Sequence, residues 1–126
     1  GVRHDVAVPL SRIAEFIDTA TKNARAAIAD MQIIAYGHLG DGNIHFNLSP
    51  HHQTDREAFL ARREELMEIV HGTAVAMDGT ISAEHGVGRL KRDEIARYKS
   101  PTEMNVMRAV KTALDPQGIM NPGKVL

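Results

Sequence analysis

The first apolar alternation falls at Asp5-Val6-Ala7-Val8-Pro9. Val6 and Val8 share one face at a period of two and Pro9 stops further pairing, so a short strand is predicted. Leu10, Ile13, Ile17, Ala20, Ala24 and Ile28 then recur at helical spacing, with Ser11 placed to cap the N-terminus, and predict a helix. Residues 32–36 and 44–48 are short β-prone runs, the second ended by Pro50. Thr54-Asp55-Arg56-Glu57 is a capping box, and Phe59, Leu66, Val70, Ala74 and Met77 carry an apolar stripe to a stop at Asp78-Gly79, which predicts a second long helix. Residues 80–83, closed by Gly86 and Gly88, read as a last strand running into a glycine-rich turn.

Strand, helix, strand, strand, helix, strand is the order of the ferredoxin-like βαββαβ unit. The expected class is therefore α+β: an antiparallel sheet with two helices on one face and the other face left for binding or for a covering element. A helical appendage and an extended tail follow this unit of residues 1–86. In residues 87–126, Ser100-Pro101-Thr102-Glu103 combines a capping box with proline at the first helical position, and Met104, Met107, Val110 and Leu114 form an apolar face that ends at Asp115-Pro116 and Gly118.

At 126 residues the chain suffices for one domain, and no apolar run approaches the length of a bilayer span. Fifteen basic against 16 acidic side chains argue against nucleic acid as a partner, and the lack of cysteine excludes disulfides and thiolate chemistry. Charge is unevenly spread. From Arg89 to Lys111 seven basic residues face three acidic ones, either a solvated helical face or a surface for an anionic cofactor or a partner domain. No targeting segment is visible, so a cytoplasmic location is expected; the missing initiator methionine suggests a fragment.

Asp41-Gly42 between two β-prone runs predicts a two-residue type I′ hairpin turn. In that register His38 stands opposite His45 and Tyr36 opposite Asn47, while Ile44, Phe46 and Leu48 turn to the apolar face. Two imidazoles about 4.5–5.5 Å apart at Cβ form either an exposed cross-strand pair or a chelate. With Glu84 as a third ligand they would make an open site suited to zinc, ferrous iron or manganese. His4, His51, His52 and His71 are expected to be solvated.

Three strings resemble a known family: Gly37-His38-Leu39-Gly40-Asp41-Gly42-Asn43-Ile44-His45, Ile81-Ser82-Ala83-Glu84-His85-Gly86-Val87-Gly88, and Asp115-Pro116-Gln117-Gly118-Ile119-Met120-Asn121-Pro122-Gly123-Lys124. The resemblance is to the C-terminal domain of FAD-linked oxidases acting on D-2-hydroxy acids, of the D-lactate dehydrogenase, glycolate oxidase D-subunit and D-2-hydroxyglutarate dehydrogenase type. It implies His38, His45 and Glu84 as ligands of a divalent metal, zinc foremost, and His85 as the base that takes the hydroxyl proton while hydride passes to flavin. It also implies Asn47 and Arg3 as substrate contacts, with Arg3 standing where some relatives have lysine, and Asn121 at the flavin edge.

In that family the FAD-binding half lies N-terminal to such a region, and no matching glycine tract occurs here. The chain is therefore expected to be the C-terminal part of a longer flavoenzyme, inactive alone, with the FAD-binding domain of the same protein as partner and an unnamed electron acceptor. The apolar face of the last helix is expected to favour a homo-oligomer. Two further readings stand beside it: a small metallohydrolase, and a ferredoxin-like metal- or ligand-binding module without its own catalysis.

Overall fold

Strand β1 runs over Val2–Ala7, with Val2, His4 and Val6 on its inward side and Arg3, Asp5 and Ala7 on the other. The sequence pattern starts this strand at Asp5; pairing with residues 43–48 extends it back to Val2 and ends it at Ala7. In the computed structural model, which describes residues 1–126 apart from the Thr54 side chain, the chain forms two compact units, Gly1–His85 and Gly86–Leu126.

In the first unit β1 is followed by helix α1 (Ile13–Ala27), strands β2 (Gln32–His38) and β3 (Asn43–Ser49), and helices α2 (Arg56–Ala61) and α3 (Arg63–Val75). The sheet is antiparallel in the order β1-β3-β2. The last strand expected over residues 80–83 is reduced to one antiparallel bridge, Thr80 with Ala7 on the free edge of β1. The chain bends at Ile81, which interrupts the ladder, and the Ala83 amide donates to the Asp5 carbonyl.

Ile44, Phe46 and Leu48 of β3 are buried on the face covered by α1 and α3, as the alternation predicts. Helix α1 buries Phe16, Ala20 and Ala24, four residues apart, so Phe16 rather than the 58 % exposed Leu10 leads its apolar stripe. A short 3-10 turn at Leu10–Arg12 starts the helix, and Ser11 makes no cap. Phe59, Leu66, Val70, Ala74 and Met77 are all buried as expected. The helix that carries them is broken at Arg62, whose guanidinium pairs with Glu65 and donates to the Ala27 carbonyl at the end of α1, satisfying an orphan acceptor there. The Thr54 part of the predicted capping box lies outside the described residues, and Asp55 makes no side-chain cap.

Two histidines expected in solvent are core residues. His4 alternates with Val2 and Val6 on the inward face of β1 and donates Nδ1–H to the Phe46 carbonyl at 2.6 Å, while its ring meets that of buried His71 edge-on at 5.3 Å.

The β2–β3 connection also departs from its prediction. Leu39–Asp41 forms a 3-10 turn and Gly42 follows at φ 76°, so four residues, not two, join the strands. The Asp41 carboxylate accepts the Asn43 amide, and the Gly42 carbonyl accepts the Val8 amide. This contact with β1's exit, invisible to local pattern, selects the longer loop. A Cβ on Gly42 would collide with the Val8 carbonyl, whereas one on Gly40 meets open space. Gly42→Ala is expected to lower unfolding stability by about 1–3 kcal/mol and Gly40→Ala to leave it nearly unchanged, as read by urea denaturation.

The second unit holds helices α4 (Arg92–Tyr98) and α5 (Pro101–Leu114) and a tail of turns. The predicted capping box is complete: the Glu103 amide donates to Ser100 Oγ and the Ser100 amide to the Glu103 carboxylate. Lys99, ahead of Ser100, holds the Glu103 carboxyl down at about 2. Of the expected apolar face only Met104 is buried; Val110 and Leu114 are exposed. Asp115 ties the tail back by accepting the Ile119 and Met120 amides and the Lys111 ammonium. No helix among the described residues is long and apolar enough to cross a membrane.

Candidate functional site

The sheet face turned away from α1 and α3 is laid out by the register. Arg3, Asn47 and Ile34 make one row across β1, β3 and β2; Asp5, His45 and Tyr36 make the next; Ala7, Asn43 and His38 make the third. The four-residue loop thus shifts the hairpin pairing by two positions from the predicted one. His45 stands opposite Tyr36, and His38 opposite Asn43. A shift of two keeps every side chain on its face, so His38 and His45 remain together as diagonal neighbours, ring centroids 5.9 Å apart and edge-on. Tyr36, mostly exposed, tilts against the His45 ring at 5.0 Å.

After α3 and the Thr80 bridge, the chain turns over the outer side of β1 and delivers Glu84 and His85 to this face. Glu84 reaches both hairpin histidines: Oε1 lies 3.1 Å from His45 Nε2 and Oε2 lies 3.5 Å from His38 Nδ1. His85 stacks on His45 with centroids 5.5 Å apart and planes 25° from parallel, its Nε2 3.7 Å from Glu84 Oε1. His38, Glu84 and His85 are open to solvent, and His45 is nearly covered. Arg3 and Asn47, cross-strand partners, occupy the neighbouring row on the same face. Asn121 belongs to the second unit, in left-handed backbone at φ 48°.

Asp5 is the residue that sequence reasoning missed. It is 2 % exposed, and its Oδ2 accepts the amides of Ala83, Glu84 and His85 at 2.8–3.1 Å while Oδ1 accepts the Asn43 side-chain amide at 2.8 Å. Burial, the largest single influence, pushes its carboxyl up. The hydrogen bonds from the His85 amide, the Asn43 side chain and the Glu84 amide outweigh it, and the net shift is downward. The alternation in β1 already puts Asp5 opposite Val6 and Val8, but only the β1–β3 register, 40 residues apart in sequence, brings it to His45.

Two donor sets are present on this face. Single atoms of Asp5, His45, Glu84 and His85 lie within 4.8 Å of one another. Both oxygens of Asp5 are already engaged by N–H donors, which leaves that carboxylate poorly suited as a ligand. His38, His45 and Glu84 carry no such bonds from the backbone, and two imidazoles with a carboxylate suit a divalent cation of the zinc class.

A model of the C-terminal domain of FAD-linked oxidases matches residues 2–125. The chain is 37 % identical over 123 residues to a D-2-hydroxyglutarate dehydrogenase of Stutzerimonas stutzeri, covering 98 % of this chain and 26 % of that protein. It is 40 % identical over 121 residues to a D-lactate dehydrogenase of Anaerostipes hadrus, covering 96 % and 25 %. Against the mitochondrial D-2-hydroxyglutarate dehydrogenase of Bos taurus it is 35 % identical over 125 residues, covering 98 % and 22 %. The chain thus spans about a quarter of the length of the curated relatives it matches.

Proposed function

Because the chain belongs to the family of FAD-linked oxidase C-terminal domains, we propose that it is the substrate- and metal-binding portion of a flavin-dependent enzyme that oxidises a D-2-hydroxy acid to the 2-oxo acid. The observation that carries this reading is the meeting of His38, His45 and Glu84 from two distant segments on one open face, with His85 beside them.

His38, His45 and Glu84 would hold a divalent cation, zinc foremost, and the positive charge it would supply favours loss of the substrate's hydroxyl proton. His85 takes the hydroxyl proton through Nε2, since its Nδ1 is turned toward Asp5. Loss of the C2 hydrogen with its electron pair then leaves the 2-oxo acid, and FAD would supply the acceptor for that hydride. Arg3 and Asn47 contact the substrate's polar groups from the adjoining row. The chain spans about a quarter of the length of the relatives it matches, and in this reading FAD is held mainly by an FAD-binding domain of the same protein, with Asn121 at its edge. That domain is the partner this reading requires, and the cytoplasm is its proposed location.

Elemental analysis of the purified chain beside a His38→Ala, His45→Ala double variant tests the site. A near-stoichiometric divalent metal in the parent and its loss in the variant is the expected result. Equal metal in both, or none in the parent after reconstitution with zinc, sinks the metal assignment.

A further inference from the structure

We propose that Asp5 is the positioning residue of this site. One buried carboxylate fixes the turn that carries Glu84 and His85 and also sets which nitrogen each of His45 and His85 offers to the open face. The inference rests on the metal-site reading above and adds to it a residue that makes no contact with substrate.

The turn that carries Glu84 and His85 belongs to no strand or helix, so its backbone amides need other acceptors. Asp5 Oδ2 receives three successive ones: Ala83 at 3.1 Å, shared with the Asp5 main-chain carbonyl at 3.1 Å, Glu84 at 3.0 Å and His85 at 2.8 Å. Successive amides converging on one oxygen form an anion-binding concavity of the kind that backbone turns offer to phosphate. Here the anion is a side chain of the same molecule. Its second oxygen is held by Asn43 from the hairpin, so a single group ties β1, the β2–β3 loop exit and the post-α3 turn to one point.

The same carboxylate faces both rings. Asp5 Oδ1 lies 3.8 Å from His45 Nδ1, and Oδ2 lies 3.7 Å from His85 Nδ1. On the other side of each ring stands Glu84, whose Oε1 lies 3.1 Å from His45 Nε2 and 3.7 Å from His85 Nε2. A cation held there would offset the Glu84 charge and disfavour a proton on Nε2. The negative charge of Asp5 would then place the proton of each ring on Nδ1, as carboxylates behind metal-binding histidines do, leaving His45 Nε2 to hold the cation and His85 Nε2 to receive a proton. Asparagine at position 5 would keep one acceptor oxygen and lose the charge. It therefore tests the electrostatic role at nearly constant shape.

The experiment uses zinc(II) as the probe, titrated against a chromophoric chelator into the parent and Asp5→Asn chains. Ring ¹⁵N shifts of His45 and His85 are recorded in the zinc-loaded parent, and amide hydrogen exchange at Ala83, Glu84 and His85 in the metal-free parent. Expected are zinc binding weaker by about 10–100-fold in the variant, Nδ1–H tautomers for both rings in the parent, and slow exchange of the three amides. The two parent measurements decide the matter even if the variant does not fold. Unchanged zinc affinity in a folded variant, an Nε2–H tautomer at His45, or exchange at the rate of an open loop each overturns the inference while leaving the metal site standing. A parent that takes up no zinc overturns the metal reading itself, and with it the role assigned to Asp5.

Discussion

Changing His85 to glutamine should lower turnover of a D-2-hydroxy acid by about 10²–10⁴-fold while leaving metal content unchanged. Removal of a positioned general base costs that much when the proton has no equally good acceptor. The geometry gives the two halves of this expectation different origins. His85 stands stacked on His45, with its Nε2 3.7 Å from Glu84 Oε1, so it borders the proposed ligands His38, His45 and Glu84 without being one of them. Its backbone amide is held by Asp5 whatever its side chain, and glutamine leaves that bond in place. The assay calls for the chain joined to the flavin-bearing portion that the proposed reaction requires, with metal measured on the same sample. Loss of metal together with activity would make His85 a ligand, and undiminished turnover would remove it from the chemistry altogether.

Phe46→Ala is expected to cost about 3–5 kcal/mol of unfolding free energy, enough to consume much of the stability of an ordinary domain. Phe46 is fully buried on the central strand, and its ring meets that of Phe16 from α1 edge-on at 5.8 Å. Loss of the ring leaves a cavity between sheet and helix that neither β3, paired on both sides, nor α1 can close. A double-mutant cycle with Phe16→Ala, followed by urea denaturation, should return a coupling of about 0.5–1.5 kcal/mol for the aromatic pair. A loss below about 1 kcal/mol for Phe46→Ala would show that the sheet and α1 do not share the core described here.

The elements most legible in the sequence were those whose cause is local. The i, i+4 stripe of Leu66, Val70 and Ala74, the Ile44-Phe46-Leu48 alternation and the Ser100/Glu103 capping box need no knowledge of distant chain, and all three occur as read. His38 and His45 were placed on one face despite a wrong hairpin register, because an error of two positions is silent with respect to face. What escaped depends on long-range contacts. The Gly42 carbonyl answers to Val8, the break at Arg62 serves the end of α1, and the burial of His4 and His71 follows from which side of β1 meets α3. Asp5 escaped for the same reason in its strongest form. Its partners lie as many as 80 residues away, and an aspartate in a short strand gives no local sign of them.

That separation also sets an order in time. As the chain is synthesised, β1 emerges first, and the three amides that will receive Asp5 follow only after the hairpin and α1 to α3. At about 5–20 residues per second the interval is roughly 4–16 s. Through that interval the carboxylate is kept in water, since burying it unpaired is unfavourable. Closure of β1 into the sheet is therefore completed by the arrival of residues 83–85, and a nascent chain halted before Ala83 would hold hairpin and helices but no assembled cluster of His45, Glu84 and His85. Assembly of that cluster therefore marks the point at which the first unit has been translated to its end.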